Sequence, residues 1–302
     1  MKLLLSKFQS NFEFKLSTLE FLKKVQVIFQ HTEESFKTNQ TKNYRLILLI
    51  TDDRLQYLVL EKDKNKLLHL CCYQVPAEFV NQNDWVSGIL ASDELIKNSF
   101  HSTEIYFHNA SFTLIPFSLF DESNQSLFSE NNGLIKPDSD LLTERFKELE
   151  LVILFSVHRQ LKNVLNEYFP GAIIHHSLGK LIVAGGNCIK ENSEQLFINI
   201  QSQCFEIIYF NNSKFQFANT FKYSNTEDFL YFTILVIKQL LLDVNKTEII
   251  LSGDILPDSE LFRKLNKYVR SVKFSSRPSE IIVSKEFKLL PHFQFLLFSV
   301  AS

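Results

Sequence analysis

The residues best suited to chemistry lie at predicted turns. Asp52 and Asp53 fall between two predicted strands, where paired carboxylates can attract a divalent cation through water. Acidic pairs in β-turns are more often solvated turn formers, so that interpretation stays open. Gly253 and Asp254 connect a predicted strand to a predicted helix, where glycine lets the backbone approach a ligand closely or simply makes a tight turn.

A further turn carries amides and a hydroxyl in place of carboxylates. Gln201 and Ser202 can donate hydrogen bonds, but they have no charge that would hold magnesium or orient an attacking water. The turns Thr51–Arg54 and Asn199–Gln203 both lack glycine, of which the chain has only 7. Phosphate-binding loops depend on glycine for positive φ angles and close backbone approach, so the sequence gives little support for ATP hydrolysis.

Adjacent histidines and adjacent cysteines are the other reactive pairs. His175 and His176 end a predicted strand, and neighbours on a strand point to opposite faces, so the two rings would not share a metal. The same alternation predicts one core thiol and one incidental thiol for Cys71 and Cys72. No G-x-S-x-G, H-E-x-x-H, Walker A or G-x-G-x-x-G pattern occurs. We therefore assign no catalytic residue and no metal ligand.

Composition disfavours several classes of partner. The 302 residues include 32 Lys and Arg against 34 Asp and Glu, so we expect no nucleic-acid partner. The most apolar window, Phe229–Leu242, contains Lys238 and is shorter than a membrane span, which predicts a buried core helix in a protein that is not membrane-embedded. Four cysteines without a C-x-x-C spacing, and an N-terminal stretch unlike a signal peptide, predict a reduced, cytoplasmic protein.

The elements that position these residues occur twice in the same order: three strands, a helix and a further strand. The first copy comprises strands Tyr44–Ile50, Leu55–Glu61 and Lys66–Val75, a helix over Glu78–Asn98 and the strand Glu104–Phe107. The second comprises strands Leu196–Ile200, Cys204–Phe210 and Lys214–Phe221, a helix over Ser224–Leu242 and the strand Glu248–Leu251. This repeat predicts an α/β protein of two tandem ribonuclease-H-like domains, the architecture of actin, Hsp70 and sugar kinases.

The remaining segments complete the predicted organisation. The stretches His31–Asn43 and Asp121–Asp140 are polar and predict loops or linkers. A capping box at Ser17 predicts an N-terminal helix. We therefore predict an N-terminal extension over residues 1–43, a first ribonuclease-H-like domain over 44–145 and a second over 146–302.

Actin-like proteins bind ATP in the cleft between their two domains. The first hairpin turn of each domain holds the phosphates and metal, and a glycine-rich segment of the second domain packs against adenosine. The corresponding candidate positions in this chain are Asp52, Asp53, Gln201, Ser202, Gly253 and Asp254. The second glycine of the adenosine segment is replaced by Asp254, so all three positions depart from the ATPase pattern.

Several segments between about residues 44 and 275 resemble a known protein family. They are Phe112–Asp121, Glu167–Ala172 with His175 and His176, Asn219–Tyr223 with Glu227–Phe232, and Leu251–Asp254. The family is an uncharacterised Bacteroidetes family of unknown function whose members adopt the duplicated actin-like ATPase fold. Its distant structural relatives include pilus-assembly and cell-division proteins that hold a peptide of a membrane partner, some with ATP and some with a decayed site. The resemblance implies the fold more strongly than an activity.

These observations favour a noncatalytic actin-like binding or scaffold protein, a pseudo-ATPase with a degenerate interdomain nucleotide site. We expect no cofactor and an unidentified protein or peptide partner. The alternative is an ATP-binding protein, an ATPase or kinase that holds ATP and magnesium in the cleft through Asp52 or Asp53, with Gly253 beside the base. A third hypothesis is a structural protein that self-associates through exposed β edges.

Overall fold

The structure, a computed structural model, describes residues 24–76, 81–190 and 193–302. These residues form two compact units. Unit 1 contains the described residues up to Arg145 together with Val152–His176, and unit 2 contains Phe146–Leu151 and Ser177–Ser302. Each unit is built around its own mixed β-sheet.

The strands and helices are defined here in chain order. The strands are β1 (Gln26–Thr32), β2 (Tyr44–Ile50), β3 (Arg54–Glu61), β4 (Lys66–Gln74), β5 (Ser102–Phe107), β6 (Phe112–Pro116), β7 (Ser139–Phe146), β8 (Leu151–His158), β9 (Ile173–His176), β10 (Glu194–Ile200), β11 (Cys204–Asn211), β12 (Lys214–Lys222), β13 (Glu248–Gly253) and β14 (Ser271–Phe274). The helices are α1 (Gln82–Ser92), α2 (Gln125–Asn131), α3 (Arg159–Tyr168), α4 (Ser177–Gly186), α5 (Thr226–Gln239), α6 (Glu260–Tyr268) and α7 (Phe295–Ala301).

Unit 1 contains a sheet, called sheet A, with the strand order β1-β4-β3-β2-β5-β9. Strands β2, β3 and β4 form an antiparallel meander, and β5 and β9 add to it in parallel. A separate three-stranded sheet, called sheet B, has the strand order β6-β8-β7. Its strands lie between β5 and β9 in the sequence. Strand β9, which completes sheet A beside β5, therefore follows this insertion in the sequence.

Unit 2 repeats the same pattern in a sheet called sheet C. Its strand order is β12-β11-β10-β13-β14, with an antiparallel meander followed by two parallel strands. Apart from β1 at one edge, sheet A has the equivalent order, so the duplication predicted from the sequence is present in the structure. Leu196, Ile198 and Ile200 on one face of β10 pack into a core with α5 and α6, as the alternation of a strand requires.

Two segments differ from the sequence-based expectations. The predicted N-terminal helix lies mostly outside the described residues, but Ile28 at its end belongs to strand β1, because β1 pairs with β4 along the sheet edge. Helix α2 lies within the stretch that was predicted to be a loop. Phe128 of that helix packs on a small core with Ile115 and Leu134, which explains why a mostly polar segment folds.

The segment Val152–His176 belongs to unit 1, whereas the sequence placed it after the domain boundary at residue 146. Its last strand, β9, pairs with β5 of sheet A. Likewise β1, from the predicted N-terminal extension, pairs with β4. Compact units and duplicated domains need not share their limits, so the domain limits stay a prediction.

Candidate functional site

Four of the six predicted site residues lie together at one end of sheet C. Strands β10 and β13 are parallel and their register sets Ile200 opposite Gly253, so the residues that follow the two strands are neighbours. The Asp254 amide donates a hydrogen bond of 2.7 Å to the Ile200 carbonyl. The structure therefore brings Gln201 and Ser202 beside Gly253 and Asp254, as the strand order predicts.

Gly253 is required by the close approach of two backbone segments. Its φ angle is +86°, a conformation that favours glycine. A Cβ atom at this position would lie 2.0 Å from the Ile200 carbonyl oxygen. The glycine thus serves the packing of its own turn against β10, whether or not a ligand approaches it.

The Gly253 turn is covered by a segment from much later in the chain. The Gly253 amide donates to the His292 carbonyl at 2.8 Å. The His292 ring, which is buried, places Nε2 2.9 Å from the Ile255 carbonyl and packs 4.4 Å from the ring of Phe274. Burial lowers the pKa of His292, which favours a neutral ring whose Nε2–H donates to Ile255. Both backbone groups of the turn are therefore satisfied within unit 2.

The Gln201 turn is likewise closed by internal hydrogen bonds. The Gln201 amide donates to the Cys204 carbonyl at 2.8 Å, and the Gln201 carbonyl accepts from the Tyr223 hydroxyl at 2.7 Å. The Tyr223 amide donates to the Gln203 carbonyl at 3.1 Å. The Gln201 side chain is buried and Ser202 is exposed. The turn has the shape of a hairpin connection and carries no carboxylate.

The corresponding turn of unit 1 has the same backbone geometry. The Thr51 amide donates to the Arg54 carbonyl at 3.0 Å, and the Val75 amide donates to the Asp53 carbonyl at 2.8 Å. The His108 amide donates to the Ile50 carbonyl at 2.9 Å, as the Asp254 amide does to Ile200 in unit 2. These recurring bonds make Thr51 the counterpart of Gln201, Asp53 of Gln203, and His108 of Asp254.

The two candidate carboxylates of unit 1 differ in their surroundings. Asp53 accepts from the Thr51 hydroxyl at 3.1 Å through Oδ1 and from the Gln74 amide at 2.8 Å through Oδ2. Asp52 is exposed at the tip of the turn. Asp53 thus holds its own hairpin in shape, and Asp52 is the one of this pair that faces solvent.

The hydrogen bonds of these turns occupy several of the groups that magnesium and ATP could use. In the two hairpin turns, Asp52 offers an exposed carboxylate, both oxygens of Asp53 accept hydrogen bonds and the Gln201 turn offers no carboxylate. At the Gly253 turn, His292 binds the Gly253 amide and the Ile255 carbonyl. We therefore derive no catalytic step through a nucleotide.

Sequence reasoning missed a buried polar cluster directly behind the unit 2 turns. Asn199 lies opposite Glu206 in the register and donates to Glu206 Oε2 at 2.8 Å. The Ser252 hydroxyl donates to Asn199 Oδ1 at 3.1 Å. All three side chains are fully buried. Their signal in the sequence is a polar residue at an inward position near the end of each of three apolar strands.

A second buried polar network lies in unit 1, where β3 and β4 meet the segment that follows α1. The hydroxyls of Tyr57 and Tyr73 both donate to Asp93 Oδ2 at 2.8 Å, and the Leu95 amide donates to Oδ1 at 2.8 Å. Burial lowers the pKa of the neighbouring His69 to about 4. Each donor satisfies part of a carboxylate that would otherwise be costly to bury, so we assign this network to stability.

The histidine and cysteine pairs resolve differently. His175 Nδ1 lies 2.8 Å from Glu144 Oε1, whereas His176 is fully buried and its Nε2 lies 3.1 Å from the Asn109 carbonyl. The two rings therefore have separate partners, as predicted. The prediction of one incidental thiol was wrong, because both Cys71 and Cys72 are buried in β4.

Comparison with known proteins relates the chain to one family and one fold. The family model described as "Protein of unknown function (DUF3822)" matches residues 31–272. None of the curated proteins compared matches the chain. A crystal structure from Bacteroides thetaiotaomicron VPI-5482, a protein with actin-like ATPase fold and unknown function, aligns with a TM-score of 0.77 at 19% identity over 88% of this chain and 98% of that one. The PilM-PilN type IV pilus biogenesis complex aligns with a TM-score of 0.57 at 12% identity over 85% of this chain and 97% of that one.

These similarities confirm the fold predicted from the repeat. The chain is an α/β protein with the actin-like ATPase fold, and sheets A and C are the centres of its two ribonuclease-H-like halves. At such low identity the alignments carry the fold and nothing about activity. Within the described ranges, none of the helices combines the length and the apolar content needed to cross a membrane.

Proposed function

Because the chain belongs to the DUF3822 family of proteins of unknown function, as its matching segments predicted, and has the actin-like ATPase fold, we propose that it is a noncatalytic binding or scaffold protein. It acts through contacts with another protein or peptide, and its nucleotide site is degenerate. The residues at that degenerate site are Asp52, Asp53, Gln201, Ser202, Gly253 and Asp254.

The observation that carries this proposal is the closed state of the Gly253 turn. The Gly253 amide and the Ile255 carbonyl belong to the turn that we expect to pack against adenosine, and both bind His292. A ligand would have to displace a buried residue and break two hydrogen bonds, each worth about 1 kcal/mol. Breaking these bonds would weaken the binding of ATP through its base.

The phosphate side supports the same proposal. Gln201 and Ser202 offer no carboxylate, and Asp53 is held by Thr51 and Gln74. Asp52 alone supplies one exposed carboxylate, whereas magnesium usually takes one or two together with substrate phosphates. Asp52 is therefore the residue to substitute when magnesium binding is tested.

The proposed partner is a protein or peptide. PilM, which has a similar fold at 12% identity, is found in a complex with PilN. A fold without its nucleotide chemistry retains its surfaces, and surfaces are what a scaffold uses. We also propose a cytoplasmic location, which the free cysteines Cys71, Cys72, Cys188 and Cys204 support.

Calorimetric titration with ATP, ADP and a nonhydrolysable ATP analogue, with and without magnesium, tests the proposal. We expect no binding at protein concentrations able to detect dissociation constants up to about 1 mM. Magnesium-dependent binding that is lost in Asp52→Asn would overturn it in favour of an ATPase or kinase. Asp53→Asn serves as the comparison, because it weakens the hairpin without removing the exposed carboxylate.

A further inference from the structure

Helix α5 has two apolar faces: one is buried in the core of unit 2, and the other is partly exposed, although its Leu230 and Ile234 also pack against that core. Phe229, Thr233 and Val236 face the core, as expected of the most apolar window in the sequence. The prediction of a buried helix is correct for this face only, because Tyr231 on the other face is 63% exposed. The outer face of a surface helix normally carries polar residues, so an apolar outer face indicates a contact with another molecule.

The outer face of α5 lines a groove against α6 with a volume of about 420 Å³. Its residues on α5 are Glu227, Leu230, Tyr231, Ile234, Leu235 and Lys238. Tyr268 of α6, which is 57% exposed, extends the apolar floor. The charged residues of the α5 stripe stand at its two ends, Glu227 at its start and Lys238 at its end, and Lys264 of α6 also lines the groove.

The spacing along this stripe is that of a coiled-coil seam. Glu227, Tyr231, Ile234 and Lys238 follow one another at intervals of four, three and four residues. The order of types is symmetric about the middle of the helix, with acid and base outside and two apolar residues inside. An antiparallel copy of the same helix would therefore set Glu227 against Lys238 and Tyr231 against Ile234, twice over.

We propose that this groove is a self-association surface, and that its occupant is helix α5 of a second copy of this chain, packed antiparallel across a two-fold axis. In a two-fold interface one surface must complement itself, so that a residue at one end meets its counterpart at the other. The stripe meets this condition in both charge and apolar register. Leu230 and Leu235 flank the seam and cover its edges.

The charges distinguish a second copy from an unrelated helix. Lys238 has no ion-pair partner among the described residues, although it stands at the rim of an apolar groove. Glu227, 70% exposed, contacts Lys264, which also bonds Glu260. The two ends of the stripe lie about 16 Å apart at the rise of an α-helix. An incoming α5 brings a carboxylate and an ammonium group at this same separation, in opposite order.

The interface is small, so the dimer should be weak. One helix pair with flanking tyrosines covers less than the roughly 1,600 Å² of a standard stable interface. We therefore expect a dissociation constant in the range of about 10 to 100 μM. This inference goes beyond the proposed function, since a dimer forms by this surface whether or not the chain binds nucleotide.

Sedimentation equilibrium of the purified chain between about 5 and 500 μM tests the proposal. We expect a monomer–dimer equilibrium, at least about tenfold weaker in Tyr231→Asp because a charge enters the apolar seam. Ile282→Asp is the matched control, since Ile282 is 55% exposed in the same unit but lies outside the groove. A chain that is monomeric throughout, or a dimer that Tyr231→Asp leaves unchanged, would overturn the proposal.

Charge reversal tests the antiparallel register. Lys238→Glu alone sets two carboxylates together at each end of the seam and should weaken the dimer, whereas adding Glu227→Lys should restore it. A parallel dimer or a different partner helix gives no such restoration. Circular dichroism of each variant confirms that helix content is retained, and a folded double variant that stays as weak as Lys238→Glu would contradict the register.

Cysteine cross-linking gives a second, independent readout. Mixing a Tyr231→Cys chain with an Ile234→Cys chain of different tagged length should yield the mixed disulfide dimer well beyond the statistical excess that random pairing gives it over either same-variant dimer. The native chain, with its own four cysteines, reports background oxidation. A mixed dimer formed at no more than its statistical share would contradict the two-fold arrangement. The nucleotide titration is unaffected by these outcomes, so the two proposals can fail separately.

Discussion

At the scale of single residues, two kinds of position hold the turns and the core of the chain. Gly253 is one kind, because a neighbouring strand occupies the space that a side chain would need. The histidines His69 and His176 are the other, because they are buried without a permanent charge. Both kinds make predictions that do not depend on any proposed ligand.

Gly253→Ala should lower the free energy of unfolding by about 3 kcal/mol or more, because its Cβ would press on the Ile200 carbonyl at a strained φ angle. Gly171→Ala is the control. Gly171 has a similar φ of +81°, but nothing lies within 4 Å of its Cβ position, so the cost should be about 1 kcal/mol. Urea unfolding of both variants measures the difference. Equal losses would show that the close approach at Gly253 is not rigid.

Stability should fall as the pH drops from about 6.5 toward about 4. Burial lowers the pKa of His69 to about 4 and that of His176 to about 3, whereas an unfolded histidine titrates near 6.5. The unfolded state therefore binds more protons across this range. Protonation of each histidine in the unfolded state lowers the free energy of unfolding by about 2 kcal/mol between pH 7 and pH 5.

His69→Gln isolates one of these two contributions. Glutamine can still bond to Thr32, whose hydroxyl lies 2.8 Å from His69 Nδ1, but it does not titrate. Urea unfolding of this variant should lose the part of the pH dependence between pH 7 and pH 5 that His69 contributes, about 2 kcal/mol. A variant as pH-sensitive as the native chain would assign the acid effect to other groups.

At the scale of elements, the C-terminal segment is part of the core of unit 2. Helix α7 is buried along its whole length, and the Phe295 ring lies 5.0 Å from that of Phe197 on β10. The Arg277 guanidinium stacks 4.6 Å from the Phe287 ring and 5.1 Å from the Phe298 ring. The same segment supplies His292 to the Gly253 turn, so one element both completes the core and closes the candidate site.

Phe298→Ala should cost about 4 kcal/mol of unfolding free energy, because it opens a cavity in this core and removes one face of the Arg277 stack. Ile282→Ala, at an exposed position of the same unit, should cost less than about 0.5 kcal/mol. Chemical denaturation followed by circular dichroism provides the measurement. If Phe298→Ala lowered the free energy of unfolding by less than about 1 kcal/mol, α7 would not be part of the stable core of unit 2.

The sequence predicted the strands well and the less regular elements poorly. The apolar runs at β2 and β10 reflect strands buried on both faces, which composition alone indicates. Helix α4 was missed because it contains Gly179, Gly185 and Gly186, which disfavour helix formation locally. A Cβ at Gly179 would fall 2.0 Å from the Phe146 ring, so tertiary packing selects glycine there.

The candidate site, too, could be predicted only in part. Strand limits sufficed to place Gln201 and Gly253 at one sheet end, because parallel neighbours finish together. The contact of His292 with the Gly253 turn could not be predicted from the sequence. Helix α6 and strand β14 separate the two segments, and no local sequence pattern connects them.

At the scale of the whole molecule, the duplication gives each unit one central strand. β2 lies between β3 and β5, and β10 lies between β11 and β13. Both are flanked on each side by hydrogen-bonded neighbours and contain side chains with almost no exposure. β1 and β12 are edge strands of their sheets, and their side chains are largely half-exposed or exposed.

Hydrogen exchange should reveal this symmetry. Amides in Tyr44–Ile50 and Glu194–Ile200 should be the slowest of each unit, and those of β1 and β12 should exchange at least about tenfold faster. Mass spectrometry of peptic fragments resolves these segments. Equal protection of edge and centre would contradict the assignment of β2 and β10 as the most stable strands.

The position of β9 also affects how the protein is made. Sheet C is completed by strands that follow one another from residue 194 to residue 274, but sheet A receives β9 only after the ribosome has synthesised the inserted three-stranded sheet. Until residue 176 emerges, a nascent chain presents the β5 edge without a partner. An open apolar edge during translation is a place where chaperones bind and where neighbouring chains on a polysome aggregate.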